Sequence, residues 1–232
     1  VLFYSKINEA IKFVSPVSGT LLTIKRGAKR IITEIIIEAD QLDTYRDNGV
    51  LNVNSMNSDE IKNHLLATGC WAFIKQRPYD VIANPDVKPK AIFISALTTA
   101  PLSADYDFTL LGKEKELQAA VTAFSKLTDG KVNVSVGENS KSVFEGLNDI
   151  TVHKMSGVHP AGNVGTLINK VDPVNKGEVV WTVTPQDLVI IGTLFLTGKF
   201  NAKRVIALSG SSLKNPKYYT AKIGAEVSTF ID

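Results

Sequence analysis

The sequence predicts an α/β protein whose mostly parallel sheet carries helices on both faces, with a small all-β unit before it and the start of another β unit after it. Three observations lead there. From Lys90 to Ser209, short apolar runs alternate with stretches of helical apolar spacing, the rhythm of repeated βα units. Residues 1–40 instead alternate apolar and polar between tight turns. Beyond Gly210 a fresh β-type pattern begins.

Taken in order, residues 13–14, 21–24 and 31–37 read as three strands, separated by Ser18-Gly19 and Arg26-Gly27. Residues 39–57 are polar and turn-rich, and Asn57 then precedes Ser58-Asp59-Glu60 as an N-cap with a glutamate at the third helical position. Ile61, Leu65, Leu66 and Phe73 follow at helical spacing, so a helix is expected to end at residues 69–74. Three prolines in residues 76–89 prevent its continuation.

The α/β part starts with the apolar strand 91–97, and Leu117, Ala120, Val121, Phe124 and Leu127 mark one face of the next helix, which ends at Gly130. Strand 132–136 follows, then a short helix from Ser140 through Leu147, strand 150–153, a helix over 164–170 and strand 179–183. Thr184-Pro185-Gln186-Asp187 is a strong helix start, with a Thr cap, Pro at the first helical position and an acid at the third; Gly198 ends that helix. Residues 204–209 supply a fifth parallel strand. The layer order is Rossmann-like. The expected divisions are 1–40 for the first β unit, 41–89 for linker and helix, 90–210 for the α/β domain and 211–232 for the start of the last unit.

With 232 residues the chain can bury a large core without staples. Its single cysteine, Cys70, excludes an internal disulfide, and no Cys/His spacing suits zinc, which fits a reducing, cytoplasmic setting. The 26 basic and 23 acidic residues are dispersed, so no nucleic-acid footprint exists. No apolar run reaches the roughly 18 residues of a membrane span, so direct membrane insertion is not expected. The chain starts at Val1 without methionine and is read as a piece of a longer protein lacking both ends.

Chemistry is sparse. A dinucleotide site needs glycines in the first βα turn, but residues 98–105 read TTAPLSAD, and neither Gly112-Lys113 nor Gly198-Lys199 belongs to a phosphate loop. Cys70 sits beside Trp71 in a predicted helix as a packing residue, and no G-x-S-x-G elbow supplies a nucleophile. No catalytic, cofactor or metal residue is assigned. Open α/β sheets bind ligands beyond the carboxyl ends of their strands, where turns 98–105, 137–140 and 156–165 meet. The last of these, SGVHPAGNVG, holds Gly157, His159, Pro160, Gly162 and Gly165, which are taken as ligand- or partner-facing, the ligand being a quinone if the resemblance given below holds. His159 either donates to a ligand carbonyl or merely caps a neighbouring one, while the glycines either admit a ligand or only turn the chain. His153 reads as a satisfied core or edge residue and His64 as a helix-surface one.

Several motifs in one order carry a resemblance. SPVSGTLLTIKRG is similar to the second half of a biotinyl/lipoyl-type barrel-sandwich domain. Lys6 stands near the carrier-lysine position, but in the context Ser5-Lys6-Ile7, unlike either carrier motif. SPVSGTL…RGAKR, Gly69-Cys70-Trp71, Arg77-Pro78-Tyr79, HPAGNVGT, VVWTVTPQDLVIIGTLF and RVIALSG together closely resemble the A-subunit family of the Na+-translocating NADH:quinone reductase, over essentially the whole chain. More distantly the layout is similar to the C subunit of the Rnf complex and the NADH-binding flavoprotein subunit of complex I. NPKYYTAKIGAEVS then looks like the opening of a soluble-ligand-binding β-grasp domain.

The resemblance implies a peripheral, non-redox component of the complex, at the cytoplasmic face of the bacterial inner membrane, contributing to assembly and to the quinone-reaction region. Its partners would be the other subunits and quinone. NADH, flavins, an iron–sulfur cluster, quinone and Na+ would serve the whole complex, none of the cofactors being held by this chain. The sequence departs from the family after Gly165-Thr166, where Leu167-Ile168-Asn169-Lys170 replaces further histidines. The alternative is a free-standing nucleotide- or flavin-binding oxidoreductase that uses the crevice at the strand ends.

Overall fold

The structure is a computed structural model and describes residues 1–231. Its N-terminal unit consists of two antiparallel hairpins: β1 (Phe3–Tyr4) with β2 (Lys12–Phe13), and β3 (Gly19–Arg26) with β4 (Ile32–Ala39). Most side chains of β3 and β4 are exposed, Leu21, Leu22 and Ile24 among them.

Helix α1 (Ser58–Thr68) begins on the expected capping box: Asn57 Oδ1 accepts from the Glu60 amide at 2.9 Å while the Glu60 carboxylate accepts from the Asn57 amide at 2.8 Å. Gly69, left-handed at φ 80°, stops it, and Cys70–Phe73 continue as one 3-10 turn. The proline-rich stretch then departs from expectation. It does not merely link: β5 (Lys75–Arg77) and β6 (Val81–Ile82) form a hairpin that extends the central sheet.

That sheet has six strands in the order β6-β5-β10-β7-β8-β9, where β7 is Ile92–Ser95, β8 Val132–Gly137, β9 Thr151–Met155 and β10 Val180–Thr182. The four strands from β10 to β9 run parallel, and β5 joins β10 antiparallel. Helices between them are α2 (Tyr106–Thr109), α3 (Glu114–Ser125), α4 (Val164–Val171) and α5 (Pro185–Thr197). The expected helix from Ser140 through Leu147 shrinks to a 3-10 turn at Val143–Gly146, capped by Ser142, because only that turn finds a core contact, through buried Phe144.

Alternation along β7 divides the core. Ile92 and Ile94 face α1, α3 and α5, whereas Ala91 and Phe93 face Leu167 and Ile168 of α4. Thus the Leu167-Ile168 pair is core. On the larger face α3 and α5 cross closely, because Gly192 lets the Glu116 carbonyl approach to where a Cβ would lie 1.8 Å away.

Residues 204–209 do not form a fifth parallel strand. β11 (Lys203–Leu208) pairs antiparallel with β12 (Lys217–Lys222) in a separate two-stranded sheet. Gln186 explains the diversion. Its side-chain amide donates to the Val205 carbonyl and its oxygen accepts from the Val205 amide, both at 2.8 Å, so the start of α5 takes hydrogen bonds that a sheet neighbour would otherwise take.

Candidate functional site

The chain runs outward from β7 through β8 to β9, then returns to place β10 on the other side of β7. The switch point of the sheet therefore lies between β7 and β10, where connections leave in opposite directions and a crevice must open. A cleft of about 740 Å³ lies there.

Its apolar wall includes Phe73, Leu97, Val164, Val183 and Pro185. The same cleft is lined by Lys75 and Arg77 from β5, Asp80 from the following turn, Asp187, and Arg204, whose guanidinium lies 5.6 Å from the centre of the Phe73 ring. Arg204 pairs with Asp187, which is 5% exposed and also accepts from the Thr184 hydroxyl at 2.5 Å. Burial pushes the Asp187 carboxyl above the usual carboxylate range, while Arg204 and Thr184 pull it back. Tyr106, deeply placed beside this pair, has its phenol raised by burial and then by the Asp187 charge.

The turn 156–165 divides between the inside and outside of this cleft. Gly162 and Gly165 line it; Gly157, His159 and Pro160 do not and are solvent-exposed. Gly162 is the clamp. Its amide donates to Thr99 Oγ1 at 2.9 Å, and its carbonyl accepts from Ser95 Oγ at 2.6 Å. A Cβ there would sit 2.5 Å from the Leu97 carbonyl, so only glycine allows the turn to lie against the end of β7. Ser135 Oγ continues the chain by donating to Ser95 Oγ at 3.1 Å. His159 leans on the outer side of this clamp, its Nδ1 3.4 Å from Thr99 Oγ1.

Other candidates fall away from the cleft. His153 Nε2 lies 2.9 Å from Asn133 Oδ1 on edge strand β9, and burial, then Lys131, lowers its pKa. His64 is not the surface residue expected: it is half-buried, 5.4 Å from the Phe195 ring, with Nε2 buried and unpartnered and its pKa lowered by burial. Cys70 is fully buried, and burial pushes its thiol up to about 12, far from a reactive thiolate. Lys6 is exposed in the turn between β1 and β2. Among the described residues no three His, Cys, Asp or Glu side chains gather to hold a metal ion, and no helix is long and apolar enough to cross a membrane.

Sequence reasoning missed Lys75, Arg77, Asp187 and Arg204 as cleft residues. Arg77, Asp187 and Arg204 were within reach, because Arg77-Pro78-Tyr79, VVWTVTPQDLVIIGTLF and RVIALSG are among the motifs carrying the resemblance; Lys75 gains meaning only when β5 joins the sheet beside the strand ends.

Comparison with known proteins gives a consistent result. The family model described as the NqrA second alpha/beta domain matches residues 56–200, and that of the NqrA N-terminal barrel-sandwich hybrid domain matches residues 1–40. The Na(+)-translocating NADH-quinone reductase A subunit of Alcanivorax borkumensis is 35% identical over 99% of this chain and 52% of its own. The proteins of the same name from Actinobacillus pleuropneumoniae serotype 5b and Pasteurella multocida are 35% and 33% identical, each over 98% of this chain and 52% of their own. The chain spans about half the length of the curated relatives it matches. With the α/β family model matching more than half of the chain, this chain belongs to the NqrA family.

Proposed function

We propose that this chain is part of a peripheral, non-redox subunit of a sodium-pumping NADH:quinone oxidoreductase, contributing to assembly and to the quinone-reaction region. The observation that carries the reading is the similarity, over nearly the whole of this chain and about half of each relative, to proteins named as the A subunit of that reductase. Two features of the chain support it. The first βα turn has no glycine fingerprint for a dinucleotide, and the single thiol is locked in the core. On this reading the flavins, the iron–sulfur cluster and the NADH site belong to partner subunits, and this chain sits peripherally at the cytoplasmic face of the inner membrane.

The outer half of the turn 156–165 is the part that faces a partner or quinone. Gly157, Val158, His159 and Pro160 are exposed, and Val158 presents an apolar side chain 86% accessible beside the imidazole. The Ser95–Gly162–Thr99 clamp holds that surface rigid against β7, as a recognition surface requires. Copurification tests the reading: the affinity-tagged whole protein is expected to retrieve the membrane subunits and, once separated from them, to carry no stoichiometric flavin. Flavin retained by the separated protein, or failure to retrieve partners, overturns it.

A further inference from the structure

We infer that the inside of the cleft is an oxyanion site for a small phosphorylated ligand, held by guanidinium and backbone N–H groups rather than by a glycine loop. The inference goes beyond the assembly and quinone role, which concerns the outer side of the turn. Three cationic side chains, Lys75, Arg77 and Arg204, line the cleft against two carboxylates, Asp80 and Asp187. Both carboxylates are already engaged, Asp187 by Arg204 and Asp80 by Arg77 at 3.2 Å, leaving the Lys75 charge uncompensated.

Neither guanidinium is used up by its carboxylate. The Nε atoms of both Arg77 and Arg204 are buried without a hydrogen-bond partner, two of the five such side-chain atoms among the described residues. The Arg77 Nε lies near Asp80 but out of line for a hydrogen bond. The Nε atoms themselves are closed off from the cleft, but the two side chains keep 30% and 29% of their exposure, and a planar fork with terminal N–H groups left over matches phosphate oxygens.

The cleft lining also offers backbone donors. The first turn of α4 lines the cleft through Val164 and Gly165, and these two amides find no acceptor; the Asn163 side chain does not cap them. Gly165 costs the helix propensity, yet a Cβ there would meet nothing within 4 Å. The chain itself gives no steric reason for glycine at this position. The space is explained by a ligand that must come close to the backbone. The basic side chains and the bare amides line one switch-point crevice, and Phe73 and Val183 line it too, as apolar surface for the rest of an ester.

Calorimetric titration of inorganic pyrophosphate into the whole protein at low ionic strength tests this, with malonate as the carboxylate arm. One-site saturable binding is expected, weakened about tenfold or more by Arg77→Gln. Gly165→Ala keeps the test sound should Arg77→Gln not fold: the added methyl meets no protein atom, so thermal stability is unchanged or raised while pyrophosphate binding falls about tenfold. Lys115→Gln, in a separate hollow beside Gln118 and Leu196, leaves binding unchanged. Absence of saturation up to about 10 mM, equal affinity for malonate, unaltered binding in Gly165→Ala, or equal weakening by Lys115→Gln overturns the inference. Copurification with the membrane subunits reads the other proposal, so normal assembly without pyrophosphate binding sinks this one alone.

Discussion

Arg204, the second residue of β11, forms an ion pair with Asp187 in the first turn of α5, and this contact ties the C-terminal hairpin to the floor of the cleft. The carboxylate is buried while the Arg204 side chain keeps 29% of its exposure. Removing Arg204 therefore strands a buried acid. Arg204→Met is expected to cost about 2 kcal/mol, less than a fully buried pair because the guanidinium is partly solvated. In a double-mutant cycle with Asp187→Asn, measured by urea unfolding, the second change recovers at least about half of that loss. Strict additivity contradicts the pairing.

The α3–α5 crossing depends on one missing methyl. Gly192→Ala drives a Cβ into the Glu116 carbonyl and is expected to destabilise the protein by about 3 kcal/mol, despite the better helix propensity of alanine. Equal or higher stability in urea would show that the helices can separate at no cost.

The start of α1 is a reciprocal cap. Asn57→Ala removes the acceptor of the Glu60 amide and is expected to cost about 1 kcal/mol, read from the same unfolding curves. Asn57→Asp keeps an acceptor at the helix N-terminus and retains most of the stability.

Burial holds the His64 imidazole below its ordinary value of 6.5. The folded state thus resists a proton that the unfolded chain accepts, so stability is complete above 6.5 and is lost as pH falls from there toward the depressed folded value. His64→Gln is expected to flatten this fall without abolishing it, because His153 is shifted the same way. An unchanged pH slope in His64→Gln contradicts the assignment.

Elements whose ends carry their own chemistry were legible from sequence. Asn57 with Glu60 and Thr184 with Pro185 and Asp187 announced α1 and α5, and the continuous apolar run 91–97 announced a strand buried on both faces. What stayed hidden was pairing. Residues 203–208 look like any buried strand, and only the Gln186 side chain, spending its amide on Val205, decides that β11 leaves the main sheet. Likewise β5 and β6 are too short, and too close to Pro78, to show as strands. The cleft inherited that blindness, since Lys75, Arg77 and Arg204 come from those two misread places, whereas Gly162 and Gly165 stood in a turn with visible glycine chemistry.

Photolabelling of the intact membrane complex with a photoreactive quinone analogue tests the central claim most directly. Adducts are expected on residues 156–165 or on the facing residues 98–103, and they diminish when excess quinone competes or when His159→Ala is introduced. Adducts confined to other subunits, with normal quinone reduction by His159→Ala, would contradict a part for this chain in the quinone-reaction region.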